Sequence, residues 1–341
     1  MIVLNPIELP ASKMLSTMTT LIAEVRYNEN IKVSNIINDL VDSCRVGKVD
    51  YGKGILNTFE LDVQPTKDLT ETSSAFTITK PNVAQETIFI DNYKFVPLSA
   101  SEILSRDAFI AGYMVDTFMT NIMKLPEKTI RFNLFNALNE LYQSWVPGQA
   151  TQTVAIDQID TTGMTGEELR ATEQWNATQI AKVMRKTMNN AKLLNSKYTD
   201  VATYEDANTG EEKPVKSALA ADDLKIVFND EYYTDFLANA MASLYHAERV
   251  GEMLPGENFV LLPTDAMTTA NAKTIAWLSS KNKFALADFY KLTLSIVDPS
   301  TLYTNSFFHY AYGAGVFKYA VGIKFVANVI TPEAAAAVAK E

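Results

Sequence analysis

The chain of 341 residues carries 30 Lys and Arg against 40 Asp and Glu, a net charge of −10, with 47% hydrophobic and 21% charged residues. Such a content can bury a sizeable core, divides into two or more lobes and excludes a disordered chain, while the acidic balance opposes tight phosphate binding, because nucleic-acid readers cluster Lys and Arg to release counterions. Every apolar run stops well before the roughly 18 residues a membrane helix needs, and the single cysteine, Cys44, excludes an internal disulfide framework and a multi-cysteine zinc cluster.

Residues 1–6 have no basic start, long apolar segment or small-residue cleavage site, so no secretory signal is expected and synthesis in a cytoplasm is. Leu15, Met18, Leu21, Ile22 and Val25, then Val33, Ile36, Ile37, Leu40 and Val41, fit two short amphipathic helices separated by residues 27–30. They suit either a helical pair packed on the body or an arm that wraps a neighbour. After a stretch with three glycines, Phe59, Leu61 and Val63 alternate with Glu60, Asp62 and Gln64, the period of a strand with one wet face, which Pro65 ends. A polar loop over 66–74 follows. Residues 87–90 and 93–96 then read as extended, with Asp91-Asn92 as a turn or bulge, a two-stranded projection that is marginal alone in water.

Residues 99–145 form the spine of the chain. Ser99 and Glu102 stand at capping-box spacing and predict a helix start. From there Ala111, Val115, Phe118, Met119, Ile122 and Met123 make one apolar stripe. Pro126 suits the first turn of a second segment, where Ile130, Leu134, Leu138, Leu141 and Tyr142 continue the pattern until Val146-Pro147-Gly148. Leu125-Pro126 either kinks one long helix or separates two.

Residues 147–166 are polar and patternless and read as a linker or surface loop. Residues 167–194 return to helix, with Lys182, Arg185, Lys186 and Lys192 as a solvated face, and 198–216 read as a loop around Asn208-Thr209-Gly210. Residues 224–228 are a compact apolar strand, 230–249 a helix, and 259–262, 283–286 and 292–297 further strands, with a polar or helical interruption over 268–279. Residues 307–317 and 319–326 read as a closing pair of strands. The alanine-rich tail at 333–340 favours helix by propensity but is too short to hold one unaided.

Chemistry is hard to place on this chain. His246 and His309, the only histidines, form no metal-ligand pair, and there is no GxxxxGK[ST], GxGxxG or GxSxG. Gly52-Lys53-Gly54 and Gly313-Ala314-Gly315 are too short to cradle a phosphate and read as turn or close-packing glycines. Cys44 lacks a nearby base in sequence, and Glu167-Glu168 and Asp222-Asp223 read as solvated caps and faces. No catalytic, cofactor-binding or metal-binding residue is assigned, and no cofactor is expected.

The order of arm, projecting ribbon, spine, α/β lobe and return strand resembles the Hong Kong 97 fold of tailed-phage major capsid proteins. The chain is most similar to the shell proteins of small short-tailed podophages: in Tyr93-Lys94-Phe95-Val96-Pro97 entering the spine, in Ala181-Lys182-Val183-Met184-Arg185-Lys186, in the strand of 224–228 followed by the helix around Leu237 and Met241, and in the finish from His309-Tyr310 to Phe325-Val326. That resemblance implies an α+β fold with an N-terminal arm (1–47), an extended loop (48–95), a peripheral domain with the spine helix (96–197), an axial domain (198–306), and return strands with a C-terminal tail (307–341). It implies a non-enzymatic shell protein whose hexamers and pentamers tile an icosahedral head around double-stranded DNA. The partners it implies are other copies of itself, the portal, scaffolding and other head proteins, with only weak, non-specific contact to DNA and none to a membrane. The location is the virion capsid, after synthesis in the host bacterial cytoplasm. Some members of the fold cross-link subunits through Lys and Asn; no such pair is assigned here, and non-covalent closure is expected. Two other classes share some of these features, an encapsulin-like compartment and, third, a soluble enzyme whose site is assembled from distant residues.

On the shell reading, shortening residues 66–81 leaves the subunit folded and blocks assembly. Circular dichroism with particle imaging checks this, and normal particles from the shortened chain count against an extended-loop role.

Overall fold

The computed structural model describes residues 33–48, 54–63, 80–101, 124–194, 196–219, 223–243, 259–300 and 303–331. Two compact units are distinguished. The larger takes in Asn35–Asn92, Leu134–Phe289 and Tyr312–Glu341, and the smaller includes Tyr93–Asn133 and Tyr290–Ala311.

The larger unit is built on a five-stranded mixed sheet in the order β5-β13-β10-β8-β9, formed by Thr153–Ile159, Gly322–Ile330, Thr274–Ser280, Leu224–Asn229 and Phe259–Leu262. β10 runs antiparallel to both β8 and β13, while β9 and β5 extend the sheet in parallel with their neighbours. All residues of β8 and β10 are buried, so each strand presents side chains to two covered faces. On one face Leu224, Ile226, Phe228, Leu278, Ile323 and Phe325 meet Ala177, Ile180, Met184 and Met188 of α3, Gly166–Ala191, and Phe236 of α4, Asp230–Ser243. On the other, Trp277 meets Tyr142 of α2, Leu125–Ser144, ring edge to face at 5.9 Å, and Tyr142 stacks on Phe284 at 3.9 Å. The first described helix, α1 (Asn35–Cys44), buries Ile37, Leu40, Val41 and Cys44 at the amphipathic spacing read from the sequence.

Lys283 enters this second layer as a buried cation. Its Nζ donates to the carbonyls of Ala320 at 2.8 Å and Lys318 at 3.4 Å and lies 5.4 Å from the Trp145 ring. Burial pushes its pKa down to about 8.

A four-stranded sheet has the order β1-β11-β12-β4, from Arg45–Lys48, Phe284–Val297, Tyr303–Val316 and Asn92–Ser101. Two antiparallel ribbons complete the described strands: β2 with β3 (Ile55–Glu60 and Val83–Ile88) and β6 with β7 (Asp200–Glu205 and Glu212–Lys216).

Several sequence readings are corrected by this arrangement. Ser99 lies in strand β4 and starts no helix: its Oγ donates to Asn305 Oδ1, and pairing with β12 overrides the capping-box spacing. The projecting ribbon pairs residues 55–60 with 83–88, not 87–90 with 93–96, because β4 belongs to a different sheet. Residues 153–159 are a strand, held by parallel pairing to β13. Residues 200–216 form a hairpin whose turn uses Gly210 at φ +71°, a conformation glycine adopts without a Cβ clash. The interruption over 268–279 contains β10, the central strand. Residues 284–297 are one strand of 14 residues where two were read, and β12 and β13 lie in separate sheets. α2 begins at Leu125 with Pro126 in its first turn, as the sequence suggested. The first N-terminal helix, the stripe of Ala111 to Met123, His246 and the alanine-rich tail lie outside the described residues.

Close backbone approach explains the glycines of 313–315. A Cβ on Gly313 would stand 2.2 Å from the Phe89 carbonyl oxygen, whereas one on Gly315 would meet only the Ile88 side chain, at 2.8 Å. Gly313→Ala is therefore expected to destabilise the subunit by about 1–3 kcal/mol, the usual cost of overpacking, and Gly315→Ala by less, because Ile88 can shift. Urea midpoints of the two variants check the order.

Candidate interaction surfaces

In the smaller unit, strand alternation sorts the sheet into two faces. Ser295 Oγ and Ser306 Oγ meet at 2.9 Å on one. On the other, the Phe95 ring lies 5.9 Å from Phe307, edge to face, and 5.5 Å from His309, and Ser99 reaches Asn305 at 2.6 Å. Leu292, Leu294 and Ile296 alternate out of phase with Ser295 and so share the Phe95 face. All three are exposed, Ile296 to 63%, and Tyr93 and Phe95 are more than half exposed. β1 registers with β11 only at Leu286 and Asp288, so among the described residues no strand pairs the outer edge of β11 beyond that point. An apolar face beside an open sheet edge is a surface built to be covered.

In the larger unit, the ribbon of β2 and β3 is fastened at the end from which residues 64–79 connect its strands. Phe59 lies 5.7 Å from the Phe317 ring and 6.1 Å from Tyr319. The Lys216 N–H donates to the Leu61 carbonyl at 3.0 Å, and Lys80 and Asn208 exchange two hydrogen bonds, at 2.9 and 3.0 Å. Asn82 Nδ2 reaches both the Tyr204 hydroxyl and Asp206 Oδ1 at 3.3 Å. Asp206 is ion-paired with Lys213, and that bond, the Asn208 N–H and the Asn82 amide hold its carboxyl well below the usual carboxylate range. Burial and the neighbouring Asp62 push the Tyr204 hydroxyl up. The hairpin that clasps the ribbon was missed in the sequence. Its signal was the Asn208-Thr209-Gly210 turn between runs that bury Val201, Tyr204 and Val215. Residues 64–79, between the two strands, lie outside the described ones.

The basic residues Lys182, Arg185 and Lys186 of α3 are exposed, as a solvated face requires, and so are Glu167 and Glu168 in its first turn. A cavity of about 460 Å³ opens between α2 and the turns before β10, lined by Asn136, Asn139, Glu140, Gln143, Thr268 and Asn271. Its amides are engaged with one another and with backbone: Asn271 Nδ2 donates to the Gln143 carbonyl at 2.7 Å and Asn139 Nδ2 to that of Ala266 at 2.9 Å. No group of His, Cys, Asp and Glu placed to hold a metal occurs among the described residues. Gly54, Gly313 and Gly315 are close-packing positions against residues 87–90.

One buried polar cluster stands apart. Cys44, at the end of α1, receives a hydrogen bond from Lys225 Nζ of β8 at 2.6 Å and lies 3.8 Å from the Tyr142 hydroxyl, with the same Nζ 5.7 Å from the Tyr142 ring. Burial pushes Lys225 down, opposed by the nearby sulfur, and burial with the neighbouring Cys44 pushes Tyr142 up.

A family model described as Phi29-like phage major capsid protein matches residues 17–326. Among solved structures, the capsid structure of Staphylococcus phage Andhra superposes with a TM-score of 0.60 at 9% identity, covering 89% of this chain and 88% of that one. The capsid structure of cyanophage P-SCSP1u gives 0.54 at 12% identity, over 92% and 94%. The acidic stable capsid structure of Helicobacter pylori bacteriophage KHP30 gives 0.53 at 10%, over 95% and 98%. These similarities are of fold. No curated protein matches the chain.

The Asp206 geometry carries a pH dependence of known sign. A carboxyl held low in the fold contributes stability that is complete above its unfolded pKa of about 3.9 and is lost as pH falls toward the folded value. Asp206→Asn is therefore expected to lower the urea midpoint by a constant amount from pH 7 to pH 5, with the gap to the parent closing below about pH 4. Paired unfolding curves across that range check it.

Proposed function

This chain belongs to the Phi29-like phage major capsid protein family, and from that premise we infer that its copies close into hexamers and pentamers of an icosahedral head through the apolar face of β11 and the ribbon of β2 and β3. It is a structural protein of the phage capsid with the α+β, Hong Kong 97-type fold. The observation that carries the assembly reading is the exposed row Leu292, Leu294 and Ile296 beside a strand edge left unpaired among the described residues. A second copy that covers this row removes apolar area from water at about 25 cal/mol per Å² and can satisfy the edge amides as well.

The division into arm (1–47), extended loop (48–95), peripheral domain (96–197), axial domain (198–306) and return strands with tail (307–341) is part of this proposal. The five-stranded sheet joins β8, β9 and β10 of the axial segment to β5 of the peripheral segment and β13 of the return. The role is mechanical and non-enzymatic. The subunit is made in the host bacterial cytoplasm and ends in the virion, with the portal, scaffolding and other head proteins as its partners. The net charge of −10 supports weak, non-specific contact with packaged DNA, because like charge lets the genome pack and leave without adhering.

The test is negative-stain microscopy and sizing chromatography of the protein expressed alone and with its native neighbours. Closed shells or hexamer and pentamer rings are expected, and a strict monomer under both conditions overturns the reading. The double substitution Leu294→Lys with Ile296→Lys is expected to keep the circular dichroism of the parent and abolish particles, since both side chains are exposed in the subunit and charged groups in a buried contact are costly.

A further inference from the structure

A lysine buried to 1% exposure needs a compensating anion or must give up its proton. Lys225 has no carboxylate against it among the described residues: its Nζ is directed at Cys44 Sγ, 2.6 Å away, and over the Tyr142 ring. Both residues have their backbones fixed. Cys44 ends α1 with 1% of its surface exposed, and Lys225 stands in β8, opposite Ser279 of the central strand. The packing around them is aromatic and tight, with Tyr142 stacked on Phe284 and edge-on to Trp277. Nitrogen and sulfur are therefore held within one bridging atom of each other, in a closely packed interior where both residues are 1% exposed.

We propose that Cys44 and Lys225 are an oxidative cross-link site, at which a single oxygen atom bridges the cysteine sulfur and the lysine nitrogen within one subunit. The reaction consumes the thiol, the neutral amine and one dioxygen, and yields the S–O–N bridge and one water. The S–H bond and one N–H bond break, and an S–O and an O–N bond form. Sulfur and nitrogen each give up two electrons, together the four that reduce dioxygen to the bridging oxygen and water. The two lost hydrogens leave in that water. Burial favours the neutral amine that this step requires. The bridge ties the end of α1 to the interior of the sheet, 181 residues away in sequence, and is a contact inside the subunit, independent of how copies meet. A reducing cytoplasm keeps the pair open and an oxidising exterior closes it, so the site would be set after a particle leaves the cell.

The test is intact-mass spectrometry of the full chain purified in air without reductant, before and after dithiothreitol in denaturant. The expected result is a mass higher by one oxygen less two hydrogens, about 14 Da, that returns to the sequence value on reduction. A tryptic digest should contain the Cys44 peptide joined to the Lys225 peptide. Cys44→Ala and Lys225→Met should each abolish both signals. Because either variant can fail to fold, the parent protein alone also decides: complete alkylation of Cys44 in non-reducing denaturant, with the Lys225 peptide recovered free, overturns the proposal. An oxidised Cys44 without a link to Lys225, found equally in Lys225→Met, overturns it too.

Discussion

The burial of β10 on both faces is the constraint from which the larger unit follows. A strand whose seven residues are all hidden cannot stand at an edge or face water. It needs a paired strand on each side, supplied by β8 and β13, and a layer above and below. Helices α3 and α4 cover one face. On the other, the aromatic set of Tyr142, Trp145, Trp277 and Phe284 binds α2 to the sheet. With Trp277 fixed between them, β8 carries Lys225 into the same layer, and Lys283 is drawn under Trp145, where two backbone carbonyls accept its hydrogen bonds. The place of Lys225 is a consequence of register, since alternation on a strand covered on both sides puts every second residue in one layer or the other, whereas Lys283 is placed by the turn that precedes Phe284.

The ribbon is organised by a different economy. Its strands are short, and a two-stranded element is marginal alone in water. It is held by backbone proximity at glycines, by the rings of Phe59, Phe317 and Tyr319, and by a polar clasp around Asp206. Few of these contacts are deeply apolar, and each hydrogen bond contributes on the order of 1 kcal/mol. The ribbon is thus held at both ends by many modest interactions rather than by a core of its own.

Elements with an unambiguous period were legible in the sequence. α1 and α3 carry their apolar residues at helical spacing, β9 is a wholly apolar run, and β8 is a short apolar run with Lys225 as its one charge. What was illegible depended on partners. Ser99 and Glu102 have the spacing of a capping box, yet β4 is claimed by β12, and spacing carries no information about a neighbour 206 residues away. β10 reads Thr-Ile-Ala-Trp-Leu-Ser-Ser, whose polar ends suggest an interruption until the sheet on either side is known. Ala287 and Asp288 made one strand look like two, and Asp288 is tolerated there because Arg45 pairs with it in two hydrogen bonds. The candidate surface was half visible: 292–297 was read as a strand, but its exposure is a property of what lies beside it. The same holds for Cys44, which has no partner in sequence and a lysine against it in the fold.

The parallel pairing of β5 with β13 extends over seven register positions, from Lys324 opposite Thr153 to Ile330 opposite Ile159. In a parallel pair the chain enters one strand at one end and leaves the other strand at the opposite end. Tension applied between the entry of β5 and the exit of β13 therefore acts along the ladder in shear, and its rungs share the load at once instead of parting one after another. Such a joint behaves as a lap seam: it yields only when the whole overlap gives way, so its hold rests on all seven positions together.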